Sequence, residues 1–376
     1  MPPLRVLLSP PEVSDVERQM LLDAFDSGWI APAGPDLDAF EAELADFTGA
    51  AAVAGLSSGS AGLHLALLAV GVEPGDDVLV STLTFGASAF AVTYVGARPC
   101  FVDCEPLTWH LDPGLLHEEL SRRASDGRLP AAVVSVDLYG AVADNRAIAA
   151  ACDEFGVPLV EDAAEALGAH RDGVHAGRAG RIGVLSFNGN KIVTTGGGGA
   201  VMSDDPAVVQ RVRHRATQAR RPVPWYEHDE IGFNYRMGNL NAAVGRGQLR
   251  TLPDRITQRR RVRLGYEHHL AGLPGVSFQQ PGEGCEPNHW LTTVRLDPEV
   301  FGASPSQVVA ALRDEGIEAR HGFKPMHQQP VFADAPVVGG SVSDDLFATT
   351  VSLPSGSRLS DEQVEWISGV VASFSS

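Results

Sequence analysis

From residue 51 to residue 203 the chain alternates short apolar runs with longer stretches of helical spacing, and this rhythm limits the folds open to it. The runs fall at 51–55, 77–81, 98–103, 131–136, 157–161, 183–187 and 200–203. Apolar residues at helical spacing fill the gaps at 62–70, 87–95 and 145–155. Strands joined through helices run parallel, and strands covered on both faces read as continuous apolar runs. The expected fold is therefore α/β, with a mostly parallel seven-stranded sheet. Ligands of such sheets gather at the carboxyl ends of the strands.

Residues suited to chemistry sit at four of those ends. After the first strand, Leu56-Ser-Ser-Gly-Ser-Ala-Gly-Leu63 is a small-residue turn into a helix. Its amides and the helix dipole suit a phosphate, although an ordinary serine-rich helix start reads the same way. After the second strand comes Phe85, a core residue or a ring that stacks on a flat cofactor. The fifth strand ends in Glu161-Asp162-Ala-Ala-Glu165. A carboxylate there can face a protonated pyridine nitrogen or cap the next helix.

The fourth end is a lysine on a bend between strands, in Ser186-Phe-Asn-Gly-Asn-Lys191, ahead of the glycine run 196–199. The chain contains only two lysines, Lys191 and Lys324. A phosphate-cradling loop needs Ser or Thr after its lysine, and Ile192 stands there. The remaining chemical reading is a Schiff base with pyridoxal phosphate, and its competitor is an exposed turn lysine beside a glycine-rich hairpin. A phosphate nest, an aromatic plate, a carboxylate and an amine on one rim together describe pyridoxal phosphate from end to end.

At 376 residues the chain exceeds the roughly 250–300 at which a single core stops growing. Two domains are expected, a large one over 1–250 and a smaller α+β one over 251–376, divided where the helical pattern breaks at 251–253. Ser14 with Glu17 forms a capping box for a first helix, and a second fits 36–48. In the smaller part, 289–296 reads as a strand and 304–315 as a helix. The net charge of −18 argues against nucleic-acid binding. Thirteen arginines crowd 211–263, expected mostly on a solvated helix face. Cys100, Cys104, Cys152 and Cys285 are too scattered for a disulfide framework or a metal site, so neither is expected. Apolar runs such as 63–72 are too short to span a bilayer. The amino terminus does not resemble a secretion signal, which makes the cytoplasm the expected location.

Ordered matches run along nearly the whole chain: Ser27-Gly28-Trp29, Ser58-Gly59-Ser60-Ala61, Pro74-Gly75-Asp76, Asp137-Leu-Tyr-Gly140, Glu161-Asp-Ala-Ala164, Ser186 through Lys191, and Gly232-Phe-Asn-Tyr-Arg-Met237. In these the chain resembles the DegT/DnrJ/EryC1/StrS family of sugar aminotransferases, which have the fold-type-I aspartate aminotransferase architecture. The resemblance implies pyridoxal 5′-phosphate, a homodimer, and Lys191 as the Schiff-base lysine, with Asp162 at the pyridine nitrogen. It implies Gly59, Ser60 and Ser186 as phosphate ligands and Phe85 as the stacking ring. Asn234 becomes a phosphate contact donated across the dimer interface, and Arg236 and His327 become contacts to a sugar nucleotide.

Three departures from the family pattern narrow the reading. Position 60 is Ser where Thr is usual, position 165 is Glu where Gln is common, and the glycine run lacks a Glu often found there. The latter two, together with Phe187-Asn-Gly-Asn-Lys191 and with Glu165 counted among the cofactor contacts, resemble the branch that transfers the amino group of L-glutamate to the C4 ketone of 4-keto-6-deoxy sugars linked to dTDP or UDP. Amination of a C3 ketone or a cyclitol ketone is the alternative within the family. A non-catalytic regulatory or binding protein on the same fold is the alternative outside it. A sugar 3-dehydratase would carry histidine in place of the lysine.

Overall fold

The computed structural model describes residues 4–375. In chain order the first part runs α1 (Asp15–Asp26), α2 (Pro35–Thr48), β1 (Ala52–Leu56), α3 (Gly59–Ala69), β2 (Asp77–Ser81), α4 (Gly86–Tyr94), β3 (Arg98–Val102), α5 (Pro113–Ser125), β4 (Ala132–Val136), α6 (Asn145–Glu154) and β5 (Leu159–Asp162). There follow β6 (His170–Arg171), β7 (Val174–His175), β8 (Ile182–Ser186), β9 (Gly199–Ser203), α7 (Pro206–Ala216) and α8 (Asn239–Leu270). The remainder is β10 (Val276–Phe278), β11 (Cys285–Glu286), β12 (Thr292–Leu296), α9 (Pro298–Phe301), α10 (Pro305–Asp314), β13 (Arg320–His321), β14 (Val337–Val338), α11 (Ser341–Thr349), β15 (Thr350–Leu353) and α12 (Asp361–Ala372).

The main sheet has the order β1-β9-β8-β5-β4-β2-β3-β14, and β9 alone runs against the others. All seven expected strands are in it. The eighth, β14, corrects the sequence reading: it comes from the carboxyl-terminal part and lies parallel to β3. A two-residue strand is too short to carry a period of two, so its sequence gives no sign of it.

Alternate residues divide between the two faces. Ala54, Val78, Val80, Val134, Val160, Val184 and Val201 pack under α3, α4 and α7. Val53, Leu185, Ala200 and Met202 join a second core with α2 and α8, and Leu79, Val133 and Leu159 join a third with α5 and α6. Burial on both faces is why these strands are apolar throughout.

A four-stranded antiparallel sheet, β10-β12-β15-β13, has a core of its own that includes Val262, Tyr266 and Leu270 from α8. Val6 belongs to this core too, although it lies far from it in sequence. Segment 4–13 is stitched to the smaller sheet's side of the molecule: Arg5 N–H donates to Gly316 O, Leu8 N–H to a Glu318 carboxylate oxygen, and Ser355 N–H to Leu8 O. We therefore propose a division of the chain near residue 250, with segment 4–13 assigned to the smaller part.

The expected break at 251–253 is absent, for α8 continues through Pro253 as one helix of 32 residues, about 48 Å long. A proline inside a helix costs about 3 kcal/mol. Burial of Leu252 and Arg255 on either side supplies the opposing contacts. The arginines of this stretch also depart from expectation. Arg255, Arg259 and Arg263 are buried; Arg255 pairs with Glu17 and Arg263 with Glu267, rather than all lining a solvated face. The four cysteines are free thiols. Among the described residues no helix is long and apolar enough to cross a membrane.

Candidate active site

Gly199 pairs with Leu56 on one side and Ser186 on the other, which brings the end of β1 and the end of β8 together. The first turn of α3 lies directly over it. A Cβ at position 199 would come within 2.5 Å of the Gly59 nitrogen, and one at Gly59 within 3.0 Å of the Ser186 Cβ. Glycine at both positions lets the helix start seat against the strand. Ser58 caps α3, its hydroxyl accepting from the Ala61 amide at 3.0 Å. The opening amides of the helix, at Gly59 and Ser60, have no intrahelical partners, and Gly59 stands beside the Ser186 side chain, an arrangement that suits an anion.

Asp162 ends β5 next to β8, only 5% exposed. Its Oδ2 accepts from the Ser88 hydroxyl at 2.7 Å and its Oδ1 from the Ala164 amide at 3.1 Å. Among the described residues no cation lies within ion-pair distance of it. Burial pushes its carboxyl above the usual carboxylate range, opposed by the two hydrogen bonds and by the charge of Lys191.

Lys191 lies in the connection from β8 to β9, its Nζ 3.3 Å from Glu165 Oε1 and 4.0 Å from the centroid of the Trp290 ring. The other carboxylate oxygen of Glu165 accepts from the Tyr139 amide at 2.8 Å. Tyr139 adopts φ 58°, a strained value for a bulky residue. Burial raises the Glu165 carboxyl above its ordinary range, and the Lys191 ammonium pulls it back. Phe85 is the residue before α4, 63% exposed, with Phe323 6.2 Å away between ring centroids.

The structure thus brings Gly59, Ser60, Phe85, Asp162, Glu165, Ser186 and Lys191 to one rim. Of the other three expected residues, Arg236 and His327 are engaged with protein partners beside the ends of β1 and β2, and Asn234 faces outward. Arg236 pairs with Glu41 and donates to the Gly55 carbonyl at 2.9 Å. His327 has both ring nitrogens engaged, Nδ1 with the Thr82 hydroxyl at 2.7 Å and Nε2 with Asp344 at 2.9 Å. Asn234 is exposed and accepts from the Gln218 side-chain amide at 3.1 Å.

Sequence reasoning missed Ser88, Tyr139 and Trp290. Ser88 carried a signal, for it lies three residues after Phe85 in the helix that leaves the same strand end. Tyr139 carried one as well, for it lies in the Asp137-Leu-Tyr-Gly140 match, whereas Trp290 carried none and reaches the site through contacts remote in sequence.

These groups fit pyridoxal phosphate by their chemistry. A buried carboxylate without a cation among the described residues suits a pyridinium, a helix start beside a hydroxyl suits a phosphate, and an exposed ring and an amine suit its plane and its aldehyde. Comparison with known proteins agrees. The model of the DegT/DnrJ/EryC1/StrS aminotransferase family matches residues 11–372. EpsN of Bacillus subtilis, to which a pyridoxal phosphate-dependent aminotransferase activity is ascribed, is 43% identical over 96% of this chain and 93% of its own. GDP-perosamine synthase of Caulobacter vibrioides is 34% identical over 96% of each chain. The crystal structure of DesI with its TDP-sugar product superposes with a TM-score of 0.89 at 30% identity, covering 98% of this chain and 92% of that one. The fold is that of the fold-type-I aminotransferases, and the chain belongs to the DegT/DnrJ/EryC1/StrS family as a pyridoxal phosphate-dependent sugar aminotransferase.

Proposed function

We propose that the protein transfers the amino group of L-glutamate to the C4 ketone of a nucleotide-linked 4-keto-6-deoxy sugar, in the cytoplasm and as a homodimer. The observation that carries this reading is the Glu165 carboxylate beside Lys191, just past the end of β5, because glutamate at 165, with the glycine run 196–199 and Phe187-Asn-Gly-Asn-Lys191, resembles the C4-aminating branch. The GDP-linked name of one relative and the TDP-sugar product of another add guanosine to the nucleotides that the sequence leaves open.

When bound, the cofactor supplies a reversible carrier for the amino group and a sink for electrons. The chain's own groups hold it and move protons. Gly59 and Ser60 amides with the Ser186 hydroxyl would hold the phosphate, and Phe85 would stack on the ring. Asp162 keeps a proton on the ring nitrogen, and Ser88 keeps Asp162 aimed at it. The Lys191 amine would carry a proton from the α-carbon of the donor and return one to the sugar carbon. Arg236 and His327 take up the sugar nucleotide by exchanging a protein partner for it.

Trp225, Tyr226 and Ile231 are largely exposed on the segment that leads to Asn234, which supports an apolar subunit contact there and donation of Asn234 to the phosphate of the other subunit. Incubation of GDP-, dTDP- and UDP-linked 4-keto and 3-keto sugars with L-glutamate, followed by NMR of the product, tests the reading. A nitrogen on C4 is expected, and a nitrogen on C3 overturns it.

A further inference from the structure

The side chain of Trp290 belongs to no expected part of the site, yet it forms the floor beneath the reactive nitrogen. The ring is 3% exposed and its face lies 4.0 Å from Lys191 Nζ, on the ammonium as Glu165 is. It is tied down from three directions. Its indole N–H donates to the Asn190 carbonyl at 2.7 Å, its backbone N–H donates to Asn288 Oδ1 at 2.8 Å, and its carbonyl accepts from buried Arg259. Asn190 immediately precedes Lys191, and its carbonyl accepts a second bond from the Ser9 hydroxyl at 2.8 Å. The ring and the backbone that carries the lysine are therefore fastened to each other.

Resting on the assignment of Lys191 as the cofactor lysine, we propose that Trp290 is a positioning residue whose ring face, together with Glu165, cradles the ε-amine whenever it is not bonded to the cofactor. An aromatic face attracts an ammonium without directional lone pairs, so it leaves the N–H groups free to turn toward a substrate carbon. Glu165 supplies what the ring lacks, a basic oxygen to which the ammonium can pass a proton. That transfer leaves the nitrogen neutral and able to accept another. Asn288 strengthens the link between the two walls, since its side-chain amide also donates to the Glu165 carbonyl at 2.9 Å.

The scarcity of lysine makes the cradle measurable, because Lys324 is the sole other lysine and serves as an internal reference. The protein is saturated with pyridoxamine 5′-phosphate, which leaves the Lys191 amine free, and briefly treated with acetic anhydride. Peptide mapping gives the ratio of labelling at Lys191 to that at Lys324. Trp290→Phe keeps a ring face and loses the indole N–H, whereas Trp290→Leu loses both. The ratio is expected to stay near wild type in Trp290→Phe and to rise about twofold or more in Trp290→Leu, the range that loss of a cation–π contact gives. An unchanged ratio in Trp290→Leu, or equal rises in both variants, overturns the cradle. Borohydride reduction of the wild-type protein with pyridoxal phosphate separates the two failures. An adduct elsewhere than Lys191 removes the lysine assignment itself, while an adduct on Lys191 leaves the labelling ratio to decide on Trp290.

Discussion

Ser88 donates its hydroxyl to Asp162 Oδ2 at 2.7 Å across 74 residues of chain, joining the start of α4 to the end of β5. The bond orients a carboxylate that has no cation of its own among the described residues. Replacing Ser88 by Ala is expected to leave a buried oxygen short of a partner, at about 1–3 kcal/mol. Weaker pyridoxal phosphate binding and a slower first half-reaction should follow, as read by spectrophotometric titration and stopped flow.

Asp162→Asn should act in opposite directions on the bare chain and on the cofactor complex. Burial makes the folded carboxyl hold its proton more tightly than the unfolded one does. Its ionisation therefore costs stability as pH rises through the window from the ordinary carboxylate value to the raised one, and the cost persists above it. Asparagine never ionises, so the variant without cofactor should melt higher than wild type at pH 8 and lose that advantage at pH 4. Cofactor affinity at pH 8 should fall by about two orders of magnitude, the consequence of removing one partner of a buried charge pair. A lower melting temperature at pH 8, or unchanged affinity, contradicts this account.

Lys191→Ala removes the amine and leaves the fold, since the side chain is not part of any core. Circular dichroism should be unchanged while the long-wavelength absorbance of the bound cofactor disappears. Transamination should fall at least about 10²–10⁴-fold, the usual contribution of a positioned acid–base group.

Gly199→Ala tests the seat of α3. The added methyl meets the Gly59 nitrogen at 2.5 Å and the Ser58 carbonyl carbon at the same distance, both of them backbone atoms. Overpacking of this kind costs about 1–3 kcal/mol. Displacement of the first turn should raise the dissociation constant for pyridoxal phosphate more than that for an amino donor, measured on the same preparation.

Asn234 faces outward, and its proposed partner is the phosphate in a second subunit. Inactive Lys191→Ala and Asn234→Ala proteins should recover activity on mixing and refolding together. One competent site in each heterodimer gives about a quarter of the wild-type rate in a statistical two-fold assembly. Absence of recovery places Asn234 in its own subunit's site or outside both.

The alternation of strands and helices was legible because each strand of the main sheet is buried on both faces, as at Val133 and Val134. The rim was legible for a related reason: strand ends converge, so Phe85, Asp162 and Lys191 could be collected without coordinates. What stayed hidden was pairing between distant parts. Arg236 looks available in sequence, and only the fold brings Glu41 to it. His327 looks equally available until Thr82 and Asp344 close on its two nitrogens. At Pro253 local propensity argued for a break, and buried neighbours on the same helix overruled it.

Segment 4–13 has a meaning beyond its packing. Its bonds to Gly316, Glu318 and Ser355 fasten it to the side of the smaller sheet, while the Ser9 hydroxyl donates to the carbonyl one residue before Lys191. A single short run of chain thus joins the smaller sheet to the backbone that carries Lys191.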